Sequence, residues 1–310
     1  MTGSTSNIGL SGHLLLSFQV LSLRYLKIMF TMLRTIILFT ILLTMTPLTT
    51  NAQTSPAGHY AAVNGLKLYY EIHGTGMPLV LLHGGGSTIE TTYGRVLPSL
   101  AQHHKVIAIE LQAHGHTADI DRPMTFEQDA DDVAELLRQL KISKTDIMGF
   151  SNGGTTALQI GIRHPELVNK LVLASPLYRR DGMMPGFFEG MAQATLAQMP
   201  APLADAYRKI NSDPKGLEAM FLRDSRRMIG FTDIPDTLIK GIQAPALVIN
   251  GYGDVITSEH VLLLTRTLPH AQLAILPGGH GDYIGEICAP DKNSKIPLLV
   301  VSMIDEFLLK

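Results

Sequence analysis

The chain has 310 residues, 45% of them hydrophobic, with 25 Lys and Arg against 27 Asp and Glu. A formal charge of −2 favours neither nucleic acid nor an anionic membrane surface as a partner. The single cysteine, Cys288, excludes an internal disulfide framework.

No acidic residue precedes Glu71, whereas Arg24, Lys27 and Arg34 do. An apolar run from Thr35 to Met45 follows and Pro47 breaks it. Thr50-Asn51-Ala52 then offers small residues for cleavage before Gln53. Basic, apolar, then small is the secretory order, so residues 1–52 read as a cleaved signal peptide and the protein as secreted or periplasmic. The run is shorter than the roughly 20 residues of a bilayer span, so no stable span is expected after cleavage. The extra apolar patch from His13 to Leu23 suits a signal poorly. A start at Met29 or Met32 would give a more ordinary one, which points to an over-extended N-terminus. Removing residues 1–52 would leave 258 residues with a net charge of −5, enough chain for one well-buried core.

Two apolar, aromatic-bearing runs, His59 to Val63 and Leu66 to His73, flank Asn64-Gly65, a strong hairpin signal. Leu79 to Leu82 is continuously apolar, as expected of a strand covered on both faces. It ends in His83-Gly84-Gly85-Gly86, whose glycines can curve a loop and turn backbone N–H groups into a cleft. His83 reads as a residue that holds this loop. Thr88 to Gln102 predicts a helix weakened by Gly94 and Pro98, and Val106 to Ile109 another buried strand. His114 and His116 follow it in a loop that could reach substrate. Thr125 to Gln128 fits a capping box opening a helix to about Leu140. Its Asp129, Asp131 and Asp132 read as a solvated face that complements the helix dipole.

Thr145 to Met148 predicts a short buried strand and Thr155 to His164 a helix stopped by Pro165. Between them lies Gly149-Phe150-Ser151-Asn152-Gly153, a G-x-S-x-G pattern. Such a tight strand-to-helix turn strains the serine backbone and pushes its hydroxyl into a cleft. Leu171 to Ala174 is the next strand. From Ser175 to about Gly241 the alternation stops, and helical pieces rich in Met and Phe read as an inserted helical cap. Of these, Met184, Phe187 and Phe188 are candidates to line a substrate pocket. Strand Ala246 to Ile249, a helix from about Ser258 to Leu268, strand Gln272 to Leu276 and a helix from about Pro297 to Leu308 complete the chain. Strands alternating with helices predict a mainly parallel sheet covered on both faces, with ligands at the carboxyl ends of its strands.

A serine hydroxyl becomes a nucleophile when a base takes its proton, and that base is usually a histidine oriented by a carboxylate. Asp254 stands in a turn after the strand ending at Ile249, and His280 lies between glycines after the strand ending at Leu276. The order is Ser151, Asp254, His280. Asp282 is a rival acid, two residues from His280.

From about His59 onward the chain resembles the α/β-hydrolases, on four features: the His-Gly-Gly-Gly loop, the elbow at Ser151, the Gly251 to Asp254 turn, and Gly279-His280. The resemblance implies an α/β-hydrolase fold and an oxyanion hole from the backbone N–H groups of Gly85 and Asn152, with Gly86 assisting. It also implies that Ser151 is the nucleophile, His280 the base and Asp254 its orienting acid. A serine at the elbow departs from haloalkane dehalogenases and epoxide hydrolases, which carry aspartate there. The expected partner is a small-molecule ester; no cofactor, metal or nucleic acid is implied, and oligomeric state is left open. Capped relatives include carboxylesterases, enol-lactonases and C–C bond hydrolases, so lactone, C–C bond or amide cleavage are alternatives. A triad-retaining, receptor-like binding protein is the alternative of a different class.

Overall fold

Residues 25–34 and 58–310 are described in the computed structural model of the chain. Residues 25–34 form an exposed helix (α1) within a separate unit, Met1–Thr54. The apolar run from Thr35 to Met45 and the candidate cleavage site at Ala52 lie outside the described residues. Among the described residues no helix is long and apolar enough to cross a membrane.

The second unit, Ser55–Lys310, is built on an eight-stranded sheet ordered β1-β2-β4-β3-β5-β6-β7-β8. Strands β1 (His59–Val63) and β2 (Leu66–His73) form the expected hairpin. Asn64 and Gly65 at its tip have φ of 46° and 83°, the paired positive values that a two-residue turn of this hand requires. β2 runs antiparallel to β4 (His104–Glu110), and every later pairing is parallel: β3 (Met77–Leu82), β5 (Thr145–Phe150), β6 (Val168–Ala174), β7 (Ala246–Gly251) and β8 (Ala271–Leu276).

The continuous apolar runs follow from this arrangement. On β3, Val80 and Leu82 pack into one layer while Leu79 and Leu81 pack into the other. The first layer holds α4 (Phe126–Gln139), α5 (Asn152–Arg163), α9 (Asp236–Gly241) and α10 (Ser258–Thr267). The second holds α2 (Ile89–Tyr93), α3 (Leu97–Leu100) and α11 (Ile296–Leu308). Burying each such Leu or Ile side chain contributes roughly 1.5–3 kcal/mol, which requires both faces of the strand to be covered. The single helix expected from Thr88 to Gln102 is instead the pair α2 and α3, interrupted at Gly94, with Pro98 in the first turn of the second helix. At Thr125 the side chain accepts from Gln128 N, which caps α4 without a reciprocal bond.

Between β6 and β7 the chain forms α6 (Phe187–Gln193), α7 (Ala201–Ile210), α8 (Pro214–Ile229) and α9. Ala204, Tyr207, Leu217 and Met220 give α7 and α8 a small core of their own.

The aspartates at the start of α4 do not form the solvated face expected of them. Asp129 and Asp132 are each 1% exposed. Asp129 is paired with Arg227 at 2.6 Å and Asp132 with Arg122, while only Asp131 stays near solvent, bonded to Arg163 and His164. Periodicity places a residue on a face, but Arg227 of α8 and Arg122 of the loop before α4 let two of these carboxylates be buried.

Candidate active site

β5 ends at Phe150, and the chain turns at once into α5. Ser151 has φ 54° and ψ −118°, a backbone conformation that costs a non-glycine residue about 1–3 kcal/mol. Its N–H donates to Ala174 O at 2.8 Å, which ties the turn to the end of β6. A Cβ on Gly149 would overlap the Gly153 carbonyl, and one on Gly153 would overlap Leu82 O, so the turn closes only with glycine at both places. Serine at a helix start commonly caps the first turn, yet the Ser151 hydroxyl makes no capping bond. It points to His280 instead.

Ser151 Oγ lies 3.0 Å from His280 Nε2, and His280 Nδ1 lies 2.7 Å from Asp254 Oδ1. Hydroxyl to Nε2 and Nδ1–H to carboxylate is the proton arrangement these partners accommodate. Asp254 comes from the loop after β7 and His280 from the loop after β8. Gly253 N donates to Gly278 O at 2.9 Å, which holds the two loops together. The Asp254 side chain is wholly buried. Its Oδ1 also accepts from Ile256 N at 2.9 Å and its Oδ2 from Ser175 Oγ at 2.6 Å. Ser175, at φ 48°, accepts in turn from the buried Tyr283 hydroxyl at 2.6 Å. Burial would raise the Asp254 carboxyl, but the bond to His280, its charge, and the Ser175 and Ile256 donors outweigh burial and lower it. Asp282 accepts from Gly279 N at 2.7 Å, and so shapes the loop that carries His280.

Opposite Ser151, the loop after β3 brings Gly85 against Asn152, so closely that a Cβ on Gly85 would collide with the Asn152 side chain. Among the described residues the N–H groups of Gly85 and Asn152 have no hydrogen-bond acceptor. The N–H of Gly86 does: it donates to Asp224 Oδ2 at 2.6 Å. Gly86 is therefore not an available oxyanion donor, contrary to expectation, because a carboxylate from α8 has already claimed it.

These groups open into a cavity of about 370 Å³. Its walls come from the β-strand loops and from α6 to α8, with Met183, Phe187, Met191, Met199, Phe221 and Met228 among its apolar lining.

The alpha/beta hydrolase fold family matches residues 77–210 of the chain. The human serine hydrolase BPHL is 28% identical over 249 residues, 73% of this chain and 80% of that protein. A protein of Mycobacterium phage D29, provisionally named a non-heme haloperoxidase, is 31% identical over 273 residues, 79% of this chain and 94% of its own length. The chain belongs to the α/β-hydrolase family. The solved enol-lactonase of Burkholderia xenovorans LB400 shares the fold, with a TM-score of 0.66 at 23% identity over 81% of this chain and all of that one.

Within this α/β-hydrolase, the expected site residues divide. Ser151, Asp254 and His280 are brought together, and Gly85 and Asn152 stand beside them. Phe187 lines the cavity, but Phe188 and Met184 do not. Phe188 lies under the Arg180 guanidinium, 3.6 Å from ring centroid to Cζ, and Met184 is 48% exposed. Phe187 and Met191 stand four residues apart on α6 and share the inner face, while Phe188 is turned about 100° from it.

His114 and His116 do not line the cavity. His116 binds Glu110 at 2.8 Å and stacks on Tyr69. His114 is fully buried, with Nε2 2.9 Å from Asp224 Oδ2 and Nδ1 2.8 Å from Gln112 O. His83 accepts from Leu111 N at 3.1 Å through Nε2 and donates to Gly84 O at 2.8 Å through Nδ1. Burial, and then the nearby His114 charge, push its pKa down to about 3, so it braces the loop as a neutral ring. Sequence reasoning missed Ser175, Tyr283 and Asp224. The only local signal was Ser175, a polar residue at the carboxyl end of an apolar strand.

Proposed function

We propose that the protein is a serine hydrolase of small, uncharged carboxylic esters, working through an acyl-enzyme. The observation that carries this reading is the relay from Ser151 Oγ through His280 to Asp254, 3.0 and 2.7 Å, opening into an apolar cavity. In this reading His280 Nε2 takes the hydroxyl proton as Ser151 Oγ bonds to the ester carbonyl carbon. The Gly85 and Asn152 N–H groups and the amino end of α5 receive the resulting oxyanion. His280 then gives its proton to the departing alkoxide. A water, deprotonated by the same imidazole, releases the acid and restores Ser151. Asp254 keeps the proton on Nδ1 and stabilises the imidazolium.

The lining supports an uncharged substrate. Among the described residues it contains no Lys or Arg, and its one carboxylate, Asp224, already accepts from three donors. A carboxylate-bearing substrate would find no counter-ion on these walls. Met and Phe walls suit an acyl chain of adjustable shape.

The test is turnover of p-nitrophenyl acetate and longer acyl homologues by wild type and Ser151→Ala, together with labelling by a fluorophosphonate probe. Expected are turnover by wild type alone and probe mass on the peptide containing Ser151. Labelling elsewhere overturns the assignment. Labelling at Ser151 without turnover of any ester or lactone would favour a binding protein of the same fold.

A further inference from the structure

Helix α8 carries a single acidic side chain to the cavity. Among the described residues Asp224 is the only Asp, Glu, Lys or Arg in the lining, and it stands against the loop expected to receive the oxyanion. Its Oδ2 accepts from Gly86 N at 2.6 Å and from His114 Nε2 at 2.9 Å, and its Oδ1 from Arg227 Nη2 at 2.6 Å. A Cβ on Gly85 would sit 3.2 Å from the same Oδ2.

A carboxylate in this place should oppose catalysis, because negative charge develops nearby in the transition state. The surroundings cancel it. Both ring nitrogens of His114 face acceptors, Asp224 Oδ2 and Gln112 O, so the ring is satisfied only as an imidazolium. Burial would lower the His114 pKa, but the Asp224 charge and hydrogen bond outweigh burial and raise it. Arg227, 7% exposed, bridges Asp224 to Asp129 of α4. The neutral His83 ring stands 4.7 Å from the His114 ring and braces Gly84 from behind. The result is a chain of alternating charge, Asp129, Arg227, Asp224, His114, in which Asp224 also holds the amide of Gly86.

We propose that Asp224 is a positioning residue for the oxyanion loop. By holding the Gly86 N–H while His114 and Arg227 neutralise it, Asp224 fixes the turn that presents the Gly85 N–H to the reacting carbonyl. The assignment rests on the serine-hydrolase reading above. It makes the helical segment between β6 and β7 a contributor to transition-state binding as well as to substrate fit.

The experiment compares full-length wild type and Asp224→Asn. Asparagine keeps one acceptor oxygen but turns an NH₂ group toward the donors of His114 or Arg227. Four quantities are measured: kcat and KM for p-nitrophenyl acetate, Ki for an aryl trifluoromethyl ketone, and Ki for the matching secondary alcohol. The ketone adds Ser151 Oγ to its carbonyl carbon and leaves an oxyanion in the hole; the alcohol fills the same space without one. Losing an oxyanion donor outright costs about 100- to 1,000-fold, so displacing one should lower kcat by about 10- to 100-fold. The ketone Ki should rise by the same factor, with KM and the alcohol Ki within threefold of wild type. A parallel weakening of ketone and alcohol, with a lower Tm, would mean a structural role only and overturn the assignment.

If Asp224→Asn does not fold, His114→Gln decides. It keeps a donor to Asp224 but removes the positive charge, and the ratio of ketone to alcohol Ki should rise at least fivefold. An unchanged ratio overturns the assignment. A wild type that neither binds the ketone tightly nor turns over an ester sinks the hydrolase reading itself. Wild-type activity beside an unaltered variant ratio sinks the Asp224 assignment alone.

Discussion

Ser175→Ala should slow the proposed reaction by about tenfold to a hundredfold while leaving substrate binding nearly unchanged. The Ser175 hydroxyl donates to Asp254 Oδ2 at 2.6 Å and accepts from Tyr283 at 2.6 Å, with Ser175 and Tyr283 both buried. A hydrogen bond to a charged group contributes about 1.5–3 kcal/mol, and each 1.36 kcal/mol corresponds to a factor of ten in rate. Asp254 would keep two of its donors, His280 Nδ1–H and Ile256 N–H, so the loss should lie toward the lower end of that range. The effect on rate arises because Asp254, less well solvated by the protein, stabilises the His280 imidazolium less. Stability falls separately, by about 1–3 kcal/mol, because the Tyr283 hydroxyl is left buried without an acceptor. The assay is a double-mutant cycle in kcat/KM for p-nitrophenyl acetate using Ser175→Ala, Asp254→Asn and the pair, with Tm recorded for each. If Ser175 acts through Asp254, its substitution should cost little more once Asp254 is Asn. A full additive penalty in the double variant, or a Tm loss with kcat within twofold of wild type, would refute the reasoning.

Because Asp254 is held below its ordinary value, its contribution to stability is present above the unfolded pKa of about 4 and lost as pH falls through the folded value. The Tm difference between wild type and Asp254→Asn should therefore shrink as pH is lowered below about 4, and a gap that stays constant to pH 3 contradicts this. Phe187→Ala should shift preference among acyl chain lengths by at most about a hundredfold, since an apolar pocket discriminates weakly. Phe188→Ala, whose ring lies under Arg180, should leave the profile unaltered; kcat/KM against chain length for both variants checks this. We further propose that the segment before Gln53 is removed on export. Intact-mass measurement of exported protein should then begin at Gln53, whereas retention of residues 35–45 in a membrane fraction would mean an anchor.

What could be read from sequence was what adjacent residues determine. The Asn64-Gly65 hairpin, the glycines two residues either side of Ser151 and the apolar strands are set by local sterics and by burial on both faces. That Ser151, Asp254 and His280 would lie together was legible too, since a parallel sheet collects the turns and loops after its strands on one edge. Asp224 was not. It sits on a helix far from Ser151 in sequence, and nothing marks it until α8 packs over the β3 loop. Its acceptance of the Gly86 N–H is also why one expected oxyanion donor was wrong. The choice of Phe188 and Met184 over Met191 failed for a different reason: composition counts apolar side chains but does not give the rotation of α6. Spacing of four from Phe187 would have selected Met191. Asp129 and Asp132 likewise looked solvated because their partners, Arg227 and Arg122, are supplied by tertiary packing.

The bond from Asp224 to Gly86 also bears on how such a chain could be altered by recombination. Helical segments between β6 and β7 invite transplantation from one relative to another, as if they were exchangeable covers on a common base. Here a graft without a carboxylate at the place of Asp224 would strand the Gly86 N–H and leave His114 charged against no anion, and one that also lacked an arginine at the place of Arg227 would leave the buried Asp129 without its partner. His114, and Asp129 where the arginine is lost, would then have to change with the graft. The cover and the base of this protein are fitted to one another through Asp224 on one side and Asp129 on the other.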